Sequence, residues 1–279
     1  MIVLKDIQIT RETLRTHDNS IITGKQEFER EVITLQVRIG ITSGWEPGTV
    51  VESWPLVYVN KGITDCLEEA GAVPVIIPVL ESEELIERYM DFVDGVIVSG
   101  EVLSIKRNVV KDIGSNVLKN SNPLRYKNEA AVIKAAKKHK KPLLGICRGH
   151  QVLAVEEGGS VKDDDINIGN DIVHQQGGIK LPDCPIHNVR IVPGSRLWSM
   201  LKQDSLMVNS FHRQAVEKVP ESYIASAVAD DGNIEAIEST GDCFVMGIQF
   251  HPEMLKDDVW KAFFKEFIGI VERRRNSVT

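Results

Sequence analysis

The first half of the chain, from residue 37 to about residue 160, alternates short apolar runs with amphipathic segments. The apolar runs are rich in Val, Ile and Leu and predict strands at residues 37–42, 73–79, 94–100 and 142–146. Helical patterns between them cover residues 57–70, 83–92 and 126–139. This alternation is typical of a parallel sheet covered by helices on both faces, with ligand-binding loops at the carboxyl ends of the strands.

After about residue 160 the helical alternation fades and shorter β patterns dominate. They lie at residues 188–192, 206–210, 223–229, 234–239 and 244–250, and a final helix is predicted from about residue 257 to 274. The sequence therefore predicts an α/β fold in which a mainly parallel sheet, with helices on both faces, is extended by antiparallel strands.

Two segments do not fit this alternation. Residues 1–36 mix polar, charged and β-branched residues without a clear period, and we treat them as an N-terminal extension of unknown role. Residues 101–123 follow the carboxyl end of a predicted strand, which leaves open an active-site lid or a simple surface excursion. The main domain is assigned to residues 37–279, since no linker rich in proline or glycine divides it.

Composition narrows the classes of function. The 279 residues carry a formal net charge of -7, so no global positive field favours nucleic acid or an anionic membrane. No segment approaches the roughly 20 apolar residues that span a bilayer. The 4 cysteines are scattered and form no C-x-x-C pair, which favours reduced thiols over disulfides or a zinc site. We expect a cytoplasmic protein that acts on a small molecule.

The strongest chemical signal is Cys147, in the segment GICRG at residues 145–149. Small residues on both sides of a nucleophile permit a tight turn from strand to helix that pushes the side chain out of the sheet. The helix N-terminus favours a thiolate, and the backbone N–H of Arg148 is placed to bind an oxyanion. From this segment alone, a buried cysteine beside an ordinary turn stays open as the alternative.

His251 and Glu253 lie at the end of another predicted strand, in the segment QFHPE at residues 249–253. Extended residues two apart share a face, so Glu253 can orient the imidazole of His251, the third role in a catalytic triad. The carboxyl ends of parallel strands converge at one edge of a sheet. We therefore expect His251 to meet Cys147, although the two residues are far apart along the chain.

In this order, GICRGHQ and QFHPE resemble the class I (triad) glutamine amidotransferase family. Within that family, Arg148 after the cysteine and the segment NSFHRQAV at residues 209–216 are similar to the γ-glutamyl-γ-aminobutyrate hydrolase branch, which is peptidase C26-like. The resemblance covers about residues 37–272. It implies a class I glutamine amidotransferase-like fold and cleavage of a small γ-glutamyl-amine, such as γ-glutamyl-γ-aminobutyrate, to glutamate and a free amine.

The resemblance also implies a mechanism. Cys147 would attack the side-chain carbonyl to form a γ-glutamyl thioester, and His251 would protonate the leaving amine and then activate water, with Glu253 as its partner. No metal or organic cofactor is implied. The expected ligand is a small γ-glutamyl substrate, and nucleic acid and membrane are not expected as partners.

Other residues receive roles by the same analogy. Gln151 would hold the glutamyl part of the substrate, and Ser210 and His212 would line the site. A hydrogen-bonded structural histidine stays open for His212, and structural roles are favoured for His150 and His174. Arg148 either attracts a substrate carboxylate or forms an ion pair with an acidic neighbour.

Glu101 departs from the family pattern. The strand that ends at Gly100 would ordinarily continue into a second glycine, whose backbone completes the oxyanion hole. A carboxylate that points at a developing oxyanion opposes catalysis, whereas one that points elsewhere is harmless or helps to bind the substrate's ammonium group. The family's acidic, proline-bearing continuation is also missing from residues 102–114, which leaves the amine leaving group open.

Three functions therefore stay open. The first is a stand-alone hydrolase of γ-glutamyl amides. The second is a glutaminase subunit that supplies ammonia to a separate synthetase, and the third is a catalytically silent, glutamyl-binding regulatory protein. The sequence also leaves open whether the chain forms a homo-oligomer or binds a synthetase partner.

Overall fold

The computed structural model describes residues 36–48, 52–101, 115–163 and 172–278. Most of the N-terminal extension, residues 1–35, and the altered segment 102–114 lie outside these ranges, so both predictions about them stay predictions. Among the described helices, none combines the length and apolar character needed to cross a lipid bilayer.

The strands are β1 (Arg38–Thr42), β2 (Gly44–Glu46), β3 (Leu56–Tyr58), β4 (Val73–Ile77), β5 (Gly95–Val98), β6 (Leu143–Ile146), β7 (Ser160–Asp163), β8 (His187–Ile191), β9 (Ser205–Val208), β10 (Gln214–Lys218), β11 (Tyr223–Ala229), β12 (Ile234–Ser239) and β13 (Val245–Ile248). The α-helices are α1 (Lys61–Glu69), α2 (Glu83–Phe92), α3 (Ser115–Ser121), α4 (Pro123–Lys138), α5 (Arg148–Glu156), α6 (Arg196–Leu201) and α7 (Asp258–Val278). A short 3-10 helix covers Pro252–Met254.

One 11-stranded sheet organises the described residues. Strands β4, β1, β5, β6 and β13 run parallel in that order. Beyond β13 the sheet continues antiparallel through β12, β11, β8 and β9, and β10 joins β12 to β7. The predicted fold class, a parallel sheet with antiparallel additions, is confirmed.

Helices cover both faces of the sheet, and each face has its own apolar core. One core joins α1 and α7 to the sheet through residues such as Leu67 and Phe263. The other joins α2, α4 and α5 to it through residues such as Ile86, Val132 and Leu153. The central strands β5, β6 and β13 are buried throughout, which explains their continuous apolar sequences.

The main boundary error concerns the helix predicted over residues 57–70. Its first residues form β3, which pairs with β2 as a hairpin, and the helix begins at Lys61. Asn60 ends the extended segment because its side chain accepts a hydrogen bond from the N–H of Gly62 and caps α1. The short elements α3, α6, β7 and β10 are not predicted by periodicity, since they span too few residues for a clear apolar pattern.

Candidate active site

Cys147 occupies a strained turn between β6 and α5. Its backbone has φ 50 and ψ -103, a conformation that L-residues rarely adopt and that costs on the order of 1–3 kcal/mol. The turn is tied to the next strand, because the Cys147 N–H donates to the carbonyl of Ile248, at the end of β13, over 2.7 Å. The sulfur therefore stands at the N-terminus of α5, where unpaired backbone N–H groups attract negative charge.

The two glycines of the GICRG segment are required by packing. A Cβ on Gly145 would lie 2.7 Å from the carbonyl oxygen of Gly149. A Cβ on Gly149 would lie 2.0 Å from the carbonyl oxygen of Val98, in the adjacent strand β5. Side chains at these positions would push α5 away from the sheet, so the spacing around Cys147 has a steric cause.

The sheet brings His251 to the same edge. Strands β6 and β13 are parallel neighbours, with Ile146 opposite Ile248. The imidazole lies against Gly100, since a Cβ on that glycine would lie 2.9 Å from His251 Cε1 and 3.4 Å from the Cβ of Cys147. The histidine and the cysteine therefore lie beside the same glycine, at the end of β5.

Glu253 lies in the 3-10 helix Pro252–Met254, not in an extended strand as predicted, and it still pairs with His251. The Nδ1 atom of His251 lies 2.8 Å from Glu253 Oε1, while Nε2 has no hydrogen-bond partner among the described residues. Burial opposes protonation of His251, but the Glu253 carboxylate and Cys147 outweigh it, so the pKa of His251 lies well above its ordinary value of 6.5. The His251 imidazole therefore favours its protonated form beside the Cys147 sulfur.

Two asparagines that the motifs do not assign to the site hold the histidine and the glutamate. Asn209 accepts the backbone N–H of His251 and donates to its carbonyl, both over 2.9 Å. Asn60 donates to Glu253 Oε1 over 3.0 Å while it caps α1. Each asparagine has a signal in the sequence, since Asn209 is the first residue of the NSFHRQAV segment and Asn60 is of a type that caps helices. Neither signal identifies the residue that the asparagine binds.

Glu101 is held by a buried arginine. Its Oε1 accepts from Arg125 Nη1 over 2.8 Å and from the Tyr58 hydroxyl over 3.0 Å. Arg125, fully buried on α4, also donates to Glu129 and to the carbonyl of Gly100. The carboxylate is therefore engaged by protein donors, and Arg125 fixes the backbone at the end of β5.

Arg148 belongs to the same ion-pair network. Its Nε lies 3.1 Å from Glu129 Oε2, its Nη2 donates to the carbonyl of Leu118, and its Nη1 lies 3.7 Å from Glu101 Oε2. These contacts correspond to the structural alternative for this side chain. A contact with a substrate carboxylate stays a prediction.

The remaining predicted substrate residues have different surroundings. Gln151 donates to the carbonyl of Gln214 over 2.7 Å and to Gln249 Oε1 over 3.0 Å, and Gln249 Nε2 in turn lies 3.7 Å from the sulfur of Cys147. Gln151 is thus linked to the sulfur of Cys147 through Gln249. Ser210 is fully buried, and its hydroxyl has no partner within the described part of the chain.

His212 lies in a separate group of polar side chains. Its Nδ1 is 3.0 Å from the carbonyl of Gln214, and its Nε2 faces Glu235, near His174 and His187. These contacts agree with the structural alternative for His212 and for His174. His150 is fully buried on α5, and its Nδ1 would meet a Cβ placed on Gly247 at 2.6 Å, so it packs between helix and sheet.

The comparison with known families agrees with this geometry. The peptidase C26 family profile matches residues 38–253. The chain belongs to the peptidase C26 family. This confirms the resemblance that GICRGHQ and QFHPE indicate, and it supports hydrolase chemistry for the chain.

Individual relatives of this peptidase C26 protein have modest sequence identity to it. Protein NtpR of Enterococcus hirae is 32% identical over 200 residues, covering 71% of this chain and 82% of NtpR. The γ-glutamyl-γ-aminobutyrate hydrolase PuuD of Escherichia coli is 28% identical over 189 residues, 66% of this chain and 74% of PuuD. A candidate GMP synthase subunit from Thermoplasma acidophilum superposes with a TM-score of 0.60 at 18% identity, covering 87% of this chain and 97% of its own, which shows the shared fold.

Proposed function

We propose that this peptidase C26 protein is a cysteine-dependent hydrolase that cleaves small γ-glutamyl amides to glutamate and an amine. The observation that carries the proposal is the placement of Cys147 at a strained helix N-terminus, against the same glycine as the His251 imidazole. That imidazole is in turn paired with Glu253 over 2.8 Å. A nucleophile, a base and an orienting acid within one buried edge of a sheet are the parts that acyl transfer requires.

In the first half of the proposed reaction, the thiolate of Cys147 attacks the side-chain carbonyl carbon of the γ-glutamyl amide. The carbon–sulfur bond forms, and the carbonyl oxygen becomes an oxyanion, which the backbone N–H of Arg148 and the backbone at Gly100 bind. The raised pKa of His251 keeps a proton available beside the sulfur. When the carbon–nitrogen bond breaks, the amine leaves with that proton, and a γ-glutamyl thioester remains.

In the second half, the neutral His251 removes a proton from water, and the resulting hydroxide attacks the thioester carbonyl. The carbon–sulfur bond breaks, glutamate leaves, and Cys147 returns to the thiolate with His251 protonated. Glu253 acts throughout by fixing the ring and stabilising its charge, while Asn209 and Asn60 hold His251 and Glu253 in place.

The ion pair of Glu101 favours an active enzyme over a silent binding protein. A free carboxylate at the end of β5 would repel the oxyanion, but Arg125 and Tyr58 bind this one. Its side chain is also 26% exposed, so the carboxylate can accept a hydrogen bond from the ammonium group of a γ-glutamyl substrate. The four free thiols fit the reducing conditions of a cytoplasm, where we place the reaction.

The test is glutamate release by the purified full-length protein, without ATP, from a panel of γ-glutamyl amines that includes γ-glutamyl-γ-aminobutyrate and glutamine. Cys147→Ala should abolish the release, and Cys184→Ala, which removes another free thiol outside the site, should leave it unchanged. Equal inactivity of wild-type and Cys147→Ala protein across the panel would contradict the proposal. Glutamine hydrolysis that requires a co-purifying synthetase would instead identify an ammonia-supplying subunit.

A further inference from the structure

A second group of reactive side chains lies in the antiparallel half of the sheet. Its members are His174, His187 at the start of β8, His212 just before β10, and Glu235 in β12. All four are buried, with exposed fractions between 0% and 4%. We call this group the histidine–glutamate cluster. The proposed hydrolysis makes no use of it.

The distances from Glu235 to the three histidines are longer than those of ordinary hydrogen bonds. Oxygen Oε1 of Glu235 lies 3.4 Å from His174 Nδ1, 3.7 Å from His187 Nε2 and 3.5 Å from His212 Nε2. None of these four atoms has a hydrogen-bond partner among the described residues, although all are buried. A tetrahedral Zn²⁺ with bonds of about 2.0–2.1 Å holds its ligand atoms about 3.3–3.4 Å apart. The distances from Glu235 are close to that edge length.

The other ring nitrogen of each histidine contacts an oxygen atom outside the cluster. His174 Nε2 lies 2.7 Å from Asp231 Oδ2, His187 Nδ1 lies 3.2 Å from the carbonyl of Asn188, and His212 Nδ1 lies 3.0 Å from the carbonyl of Gln214. An imidazole that donates its N–H to an oxygen on one side presents a lone pair on the other. Histidines that bind metals are oriented by this kind of outer hydrogen bond.

We propose that the chain binds one divalent transition metal ion of the zinc type at the histidine–glutamate cluster. The ligands are His174 Nδ1, His187 Nε2, His212 Nε2 and Glu235 Oε1, whose ligand atoms all lie within 4.8 Å of one another. Three imidazoles and one carboxylate in a tetrahedral arrangement suit zinc. Four protein ligands leave no open position, so the ion is structural rather than catalytic.

The charges of the site support a divalent cation. Glu235, which is fully buried, and Asp231, the carboxylate behind His174 with a side chain 9% exposed, together supply two negative charges. Neutral imidazoles add none, so a divalent ion makes the site electrically neutral. Without an ion, the buried Glu235 would face three ring nitrogens with no hydrogen bond to any of them, an arrangement that is costly to bury.

The ion would support the hydrolase site from outside it. It joins β8 and β12 to the segment around His174, where Gln176 exchanges hydrogen bonds with the backbone of Ser210. Ser210 follows Asn209, which holds the backbone of His251. A metal at the cluster therefore stabilises the loop that positions the proposed base.

Metal content is the first measurement. Full-length protein carrying Cys147→Ala, which removes metal binding by the reactive thiol, should retain close to one zinc ion per chain by plasma mass spectrometry. His187→Ala removes a ligand, and His139→Ala is the control, since that histidine pairs with Glu87 outside the cluster. His187→Ala should weaken zinc binding more than roughly 100-fold, with the control unchanged.

Two further measurements keep the proposal testable if His187→Ala does not fold. Asp231→Asn changes only an outer partner and should weaken zinc binding about 10–100-fold. In chelator-treated protein, added Zn²⁺ should raise the melting temperature, and Co²⁺ should give the visible absorption of a tetrahedral site. Folded, chelator-treated protein that takes up neither ion, or Asp231→Asn protein that binds zinc as tightly as its parent, would overturn the proposal. These readouts do not depend on hydrolysis, so they separate this inference from the proposed function.

Discussion

The strand ends on either side of the proposed oxyanion site, at β6 and β5, are stabilised by different means. At the end of β6, Gly145 and Gly149 let the α5 backbone approach the sheet, and no side chain could replace either without a clash. At the end of β5, the backbone of Ser99 and Gly100 accepts hydrogen bonds from Arg125 of α4. The β6 end therefore depends on two glycines whose Cβ atoms would meet backbone, whereas the β5 end depends on a buried charge in addition to Gly100.

This difference explains why the turn at the β6 end could be recognised in the sequence, whereas Glu101 at the β5 end suggested an impaired oxyanion site. The steric requirements of a tight turn act within a few residues, so the GICRG segment alone is enough to predict the turn. When only its sequence neighbours are considered, Glu101 suggests a carboxylate that would repel the oxyanion. Its partner Arg125 lies on another element, and only packing of α4 against β5 joins them.

The largest effect is expected at the β6 end. Gly149→Ala places a methyl group 2.0 Å from the carbonyl oxygen of Val98, so α5 must shift or the protein must unfold. We expect a loss of more than about 4 kcal/mol in the free energy of unfolding. Gly269→Ala in α7 is the matched control, because its Cβ meets the flexible side-chain ends of Arg273 at 3.2 Å and Glu266 at 3.9 Å. Urea unfolding of both variants checks this, and an unchanged midpoint for Gly149→Ala would contradict the packing argument.

At the β5 end, Arg125→Met should destabilise the protein by roughly 3–5 kcal/mol, because it leaves two carboxylates, Glu129 and Glu101, with Arg148 as the arginine that still pairs with them. The exposed pair of Arg88 and Glu84 provides the control, and Arg88→Met should cost less than about 1 kcal/mol. Adding Glu129→Gln to Arg125→Met should restore part of the loss. Equal midpoints for the two single arginine variants would show that the buried charge does not hold this strand end.

A third variant tests His251, which lies against Gly100 at the β5 end. Glu253→Gln removes the charge that raises the pKa of His251, and kcat should fall at least about 10²-fold. Because the pKa of His251 is raised in the folded state, protonation of this histidine stabilises the folded protein. This stabilisation is fully present below about pH 6.5, the unfolded value, and is lost as pH rises through the folded-state pKa. The variant should therefore be destabilised more in mildly acidic than in alkaline buffer, as measured by urea unfolding at several pH values. A loss of stability that does not vary with pH would argue against the charged pair.

The smallest effect is expected for Glu101→Gln. The amide keeps an oxygen for the Tyr58 hydroxyl but removes the charge next to Arg125. Because Arg125 already neutralises this carboxylate, kcat should stay within about tenfold, a change of about 1.4 kcal/mol or less in the barrier. Steady-state kinetics on the best γ-glutamyl substrate decides the point. A much larger change in kcat at unchanged stability would place Glu101 among the groups that act on the reacting atoms.

Much of the fold could be predicted from local patterns. The bounds of α2, β11 and β12 coincide with the predicted residues 83–92, 223–229 and 234–239. Apolar periodicity fixes such elements because each buries a continuous face over several residues. The order of strands in the antiparallel half, and the hairpin before α1, depend instead on pairings between segments that carry no local signal.

The sequence by itself determined the parallel α/β sheet, the cysteine turn and the strand that leads to His251 and Glu253, since each follows from side-chain period or from sterics within one segment. Only the tertiary structure decided that Arg125 neutralises Glu101, that Asn209 holds His251, and that three histidines surround Glu235. Ion pairs, polar clamps and ligand clusters join residues from separate segments. Their geometry depends on which helix packs on which strand, and a single sequence does not specify those contacts.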